Sequence, residues 1–226
     1  MLFTNNEIVF FTSVSRGKTP FGVRYRMPEE GGREAFIEET MQSLMQKGIL
    51  NDKRKLTKKG AMFIRSWELY RNCRKHVIVN RIRAAVLGDG KLITVCRVPD
   101  SERGSAGSTD MPGNDAGEYE ICCMDSAVLM LSILKQSDYL CLEEKEAERG
   151  RWHGISAVQW QEELDGMEGC IPVCEYENAG LTGRKLFYWK SGEGYQLNME
   201  RMRIRNISPA YMRRQLYQIL GGKEDE

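Results

Sequence analysis

The stretch Lys75-His76-Val77-Ile78-Val79-Asn80-Arg81-Ile82-Arg83-Ala84-Ala85-Val86-Leu87-Gly88-Asp89-Gly90-Lys91-Leu92-Ile93-Thr94-Val95-Cys96-Arg97-Val98 decides the fold. Ile78, Ile82, Ala84 and Val86 fall on one face and Val77, Val79, Arg81 and Arg83 on the other. A period of two sustained from Lys75 through Val86 predicts one long strand. Gly88-Asp89-Gly90 supplies a hairpin turn, and Leu92, Thr94, Cys96 and Val98 alternate with Ile93 and Val95 in a second, antiparallel strand.

Upstream of this hairpin the period is helical. Thr4-Asn5-Asn6-Glu7 is a capping box before Ile8, Phe11 and Val14, whose spacing gives a short amphipathic helix stopped at Gly17. Pro28-Glu29-Glu30 opens a second helix with acid in its first turn, and Phe36, Ile37, Thr40, Met41, Leu44 and Met45 form its buried side. Gly48 ends it; after the basic turn Asn51–Lys55, Thr57 caps a third helix bearing Phe63, Ile64, Trp67 and Tyr70. Residues 1–74 therefore form a helical section.

Downstream, Pro99–Gly117 is rich in Gly, Ser, Asp and Pro and longer than an ordinary connection, which marks it as mobile or functional. Tyr119, Ile121 and Cys123 alternate in a third strand. Asp125 or Ser126 then caps a helix through Val128, Leu129, Leu131, Ile133 and Leu134. The run Glu143–Arg151 reads as solvated charge, and Ser156 begins a helix with Val158, Trp160 and Leu164. Ile171–Tyr176, Lys185–Lys190 and Tyr195–Met199 are strands; Arg201 to Asn206 prolongs the last, and Ser208-Pro209 opens a C-terminal helix. The expectation is one α+β domain over 1–226. A central antiparallel sheet of five or six strands, in a section spanning 75–226, is covered by helices. The alternation of strand and helix in the two halves hints at a pseudo-twofold duplication.

Composition narrows the function. Thirty-three Lys and Arg nearly cancel 32 Asp and Glu, so there is no global field to hold a polyanion. No apolar run approaches the roughly 20 residues needed to span a bilayer. With no export signal and an odd count of seven cysteines, the chain is expected in the cytoplasm, its thiols reduced and buried as small hydrophobes. The two histidines, His76 and His153, have no ligand-spaced partners, and Cys170-x3-Cys174 has no second pair, so no metal or other cofactor is expected. No phosphate-loop spacing or nucleophile-base arrangement occurs, and an enzyme is not expected.

Two features point to binding. Leu186 and Tyr188 alternate with Phe187 and Trp189, so both faces of that strand are apolar: helices cover both, or one meets a partner. The second feature is the loop Pro99–Gly117. A competing reading comes from residues 43–66, where Lys53-Arg54-Lys55 follows a helix as the wing of a winged-helix DNA-binding regulator would. Against it stand Glu34, Glu38 and Glu39 on that helix.

The layout also resembles a family. Phe3-Thr4-x-x-Glu7, Pro20-Phe21-Gly22, a helix ending in Leu44-Met45-Gln46-Lys47-Gly48-Ile49-Leu50, a Leu56-Thr57 helix start and then long antiparallel strands look like the EspG-type chaperones of type VII secretion and their Firmicutes relatives. The resemblance implies a protein that holds the helical tip of a secreted substrate of WXG, LXG or PPE type soluble before export. By the same layout it implies partner contacts from Phe187, Trp189, Tyr195, Tyr211 and Arg214. Neither nucleic acid nor a membrane is the expected partner.

Overall fold

The structure, a computed structural model, describes residues 1–23, 25, 32–98, 118–142 and 150–222. The expected helix start at Pro28–Glu30, the loop Pro99–Gly117 and most of the charge run Glu143–Arg151 lie outside the described residues. The class is α+β, with antiparallel strands throughout the pairings described below. The chain divides into two compact units, Met1–Cys73 with Ile93–Cys123, and Arg74–Leu92 with Met124–Glu226.

The first unit carries β1 (Leu2–Phe3), α1 (Asn5–Val14), α2 (Arg33–Gln46) and α3 (Lys58–Asn72), followed by most of β4 (Lys91–Val98) and β5 (Glu118–Asp125). Its strands are ordered β1-β5-β4. The capping box forms as expected: Thr4 N–H donates to Glu7 Oε2 at 2.7 Å and Glu7 N–H to Thr4 Oγ1 at 3.3 Å. Glu7 is fully buried, so its charge needs partners; Lys47 Nζ at 2.6 Å and Ser43 Oγ at 2.9 Å supply them from α2. Phe3, Phe11 and Phe63 pack ring on ring beside this pair. The α1 stripe ends at Phe11, because Val14 is 56% exposed.

The second unit holds β2 (Lys75–Val79), β3 (Ile82–Gly88), α4 (Ser126–Leu134), a 3-10 turn at Tyr139–Cys141, β6 (His153–Gly154), α5 (Ala157–Asp165), β7 (Gly169–Glu177), β8 (Gly180–Lys190), β9 (Glu193–Asn198), β10 (Arg203–Ile207) and α6 (Pro209–Ile219). Its strands are ordered β3-β2-β7-β8-β9-β10-β6, with every pairing antiparallel. On one face α4, the 3-10 turn and α6 bury Val77, Val79, Leu129, Ile133, Phe187 and Leu216. On the other, Leu186, Tyr188, Leu197 and Ile204 pack with Trp160 of α5 and with Ile155, Met167 and Tyr195.

The described strands number ten, against the five or six expected. Two runs read as single strands are hairpins. Asn80, at φ 55°, turns the chain between β2 and β3, so that His76 lies opposite Ala85. A second turn ending at Met202, φ 46°, folds β10 back on β9, with Arg203 opposite Asn198. The other two additions, β1 and β6, are two-residue strands. The cysteines differ too: all seven are unpaired, but Cys123, Cys141 and Cys170 are exposed. Cys122 and Cys123 are adjacent in β5, so the pleat sends them to opposite faces and at most one can face a core.

Candidate partner-binding surface

The strand that suggested binding turns inward on both sides. Phe187 and Tyr188 have no exposed surface and Leu186 is 7% exposed, because α4 and α6 cover one face and α5 covers part of the other. Phe187 is thus a core residue, and would meet a partner only if the helices above it moved. Tyr195 lies opposite Tyr188, stacked on it at 5.1 Å, which puts it on the sheet face away from Phe187 and Trp189. Burial and a hydrogen bond to Glu193 push its phenol up to about 12.

Trp189, Tyr211 and Arg214 share the α4–α6 side. Trp189 stacks on Tyr139 with centroids 5.5 Å apart and planes within 4°. Its cross-strand neighbours are both glycines, Gly169 on β7 and Gly194 on β9. A Cβ at Gly169 would lie 2.2 Å from the indole, and one at Gly194 would lie 2.2 Å from Tyr139 Oη. The two glycines therefore make room for the ring pair. Gly194 is a strand residue of β9. Beside Trp189 a cleft of about 210 Å³ opens between Asn80, Ser137, Glu168 and Cys170, at the C-terminal end of α4. Its polar lining suits one polar side chain.

The helix α4 presents an apolar outer surface in this unit. Its sequence, SAVLMLSIL, has no charge and no polar face. Leu129, Met130 and Ile133 are buried, yet Val128 is 50% and Leu131 57% exposed on the outer side. A helix apolar all round is normally covered all round. The outer surface continues past the helix end, where Cys141 Sγ approaches Leu134 O at 3.5 Å and Leu142 is 47% exposed. Arg213 of α6 fixes this segment by donating to Leu140 O at 2.6 Å and Leu142 O at 3.0 Å. The sequence already carried the signal, an uncharged nine-residue helix with no polar stripe.

On the opposite face α5 is held by few groups. None of its residues is buried. Glu163 accepts from Tyr188 Oη at 2.8 Å and pairs with Lys190 Nζ at 2.5 Å. Burial raises its carboxyl, but the hydrogen bonds from Lys190 and Tyr188 and the lysine charge outweigh that and leave it below the ordinary carboxylate value. Burial and Glu163 together drive the Tyr188 phenol up.

The basic turn between α2 and α3 is tightly organised. Asn51 Oδ1 accepts from the Lys53 and Lys55 N–H groups, and Arg54 pairs with Glu38 at 2.8 Å, so one of its three cations is already matched. No described helix is long and apolar enough to cross a membrane. Among the described residues no three His, Cys, Asp or Glu side chains gather as metal ligands do.

No curated protein matches the chain. Residues 1–95, rather less than half of it, are similar to a family described as a domain of unknown function, DUF5081.

Proposed function

We propose that the protein acts by binding and not by catalysis, as a chaperone or adaptor that holds a helical partner through the outer face of α4. The observation that carries this reading is the exposure of Val128 and Leu131 on a helix with no polar side. Apolar surface of this kind is stabilised by covering it, and an amphipathic partner helix is the natural cover. The cleft beside Trp189 gives one partner side chain a socket. In keeping with the EspG-like layout, the partner is a secreted helical protein of WXG, LXG or PPE type. It is held soluble in the cytoplasm until the type VII machinery takes it.

The test is affinity capture from the host with wild-type protein and with a Val128→Ser/Leu131→Ser double variant. Wild type should retain a small helical secreted protein in stoichiometric amount, and the variant should lose it while keeping its melting transition. Equal capture by both, or capture of nucleic acid alone, contradicts the reading.

A further inference from the structure

The segment 201–214 contains five arginines and no acid, in a chain whose net charge is only +1. Its central member is held in an unusual way. The Arg205 guanidinium lies 4.5 Å from the ring of Trp152 and 4.8 Å from that of Tyr211. Its Nε and Nη2 donate to Gln196 Oε1 at 2.9 and 2.6 Å, and Nη2 also donates to Tyr211 Oη at 2.7 Å. Gln196 is 3% exposed, so the amide that fixes the fork is itself fixed.

These contacts engage Nε and Nη2 and bring two rings against the guanidinium. Nη1 has no acceptor among the described residues, and no described carboxylate pairs with this arginine. Two rings cover part of the cation, and a partly covered charge gains from an opposite one. Among the described residues all that holds Arg205 in place is neutral. The site is thus built and oriented but not neutralised, and Trp152, 38% exposed, leaves it open to solvent.

We infer that Arg205 is a receptor for a single carboxylate, which Nη1 meets at the edge of the Trp152–Arg205–Tyr211 stack. One remaining donor group suits one carboxylate oxygen pair better than a polyanion, for which the chain has no general field. The inference rests on the partner reading only for the source of the carboxylate, an acidic side chain of the bound helix. Both places border α6: Tyr211 meets Arg205, while Arg213, on another side of the helix, holds Leu140 and Leu142 beside the exposed end of α4. The partner would therefore carry an apolar stripe and, at one end, an Asp or Glu.

The experiment uses the full chain with nitrogen-15 in its tryptophans, the Trp152 indole resonance being assigned from Trp152→Phe. Sodium acetate and, separately, sodium phosphate are titrated against chloride at constant ionic strength. The Trp152 resonance should shift saturably with acetate. Arg205→Lys, which keeps the charge and loses the planar fork, should weaken the apparent affinity about tenfold. An acetate response in wild type that does not saturate overturns the inference, as does saturation by phosphate without acetate. Both arms use the unaltered protein, so a variant that fails to fold leaves the test intact. Failure here leaves the α4 surface standing, since that surface is tested by Val128 and Leu131.

Discussion

Replacing Gly169 by alanine tests whether the Tyr139–Trp189 pair is built as described. The added Cβ would lie 2.2, 2.7 and 3.0 Å from Trp189 Cζ2, Cε2 and Cη2, so the indole must retreat by about 1 Å or β7 must move away from β8. Overpacking of this kind costs about 1–3 kcal/mol. Losing the stack on Tyr139 adds roughly 0.5–1.5 kcal/mol. Alanine in a strand returns about 0.5–1 kcal/mol relative to glycine. The net expectation is a loss of about 0.5–4 kcal/mol, together with a changed near-ultraviolet circular dichroism signal from the separated rings. Urea unfolding gives the first quantity and the spectrum the second. Trp189→Leu in the Gly169→Ala background should recover part of the loss, because a shorter side chain clears the new methyl. A Gly169→Ala protein with wild-type stability and spectrum would refute the packing argument.

Three further expectations follow from single groups. Arg71, 6% exposed, donates to the carbonyls of Thr12, Ser15, Gly17 and Lys18 and to Ser15 Oγ; Arg71→Lys keeps the charge but cannot span them, and should cost about 3 kcal/mol in denaturant unfolding. Because Glu163 titrates below its ordinary value of 4.5, its contribution is full above that pH and is lost as pH falls through the folded-state value. Amide exchange in residues 157–165 should therefore quicken, relative to the other helices, only below about pH 4.5, and Glu163→Gln should flatten that dependence. On the alkaline side Tyr195, raised to about 12, contributes stability below the ordinary phenol value of 10, and that contribution falls as pH rises from there. Tyr195→Phe should remove it from the pH dependence of unfolding.

Local chemistry was legible in the sequence wherever a few neighbouring residues decide it. The capping box at Thr4–Glu7, the helix start at Ser156, the Thr57 cap and the Ser208-Pro209 helix start all form, because each is a contact within one turn. The two hairpins were hidden for an equally physical reason. The two-residue turn at Asn80-Arg81 shifts the alternation by one, so that Val77, Val79, Ile82 and Ala84 share one face, but apolar residues stand at both parities on the two sides of the turn and hide the shift. Its left-handed residue is asparagine, and at Met202 a methionine, so no glycine signals either turn. The candidate surface was half legible. The two apolar faces of β8 were evident, but what covers them is set by α4 and α6, upstream and downstream of it and not adjacent in the chain, on one side and by α5 on the other. The Arg205 stack joins residues 152, 196, 205 and 211, which no local pattern connects.

The central claim, that the outer face of α4 receives a helical partner, is tested most directly by hydrogen–deuterium exchange of the full chain with and without its captured partner. Leu129, Met130 and Ile133 already anchor the helix, so its amides exchange slowly enough in the free protein for added protection to be measured. The account predicts added protection across 126–134 and in the segment 139–142, with 51–59 unchanged. Protection confined to 51–59, or none in α4, would contradict it.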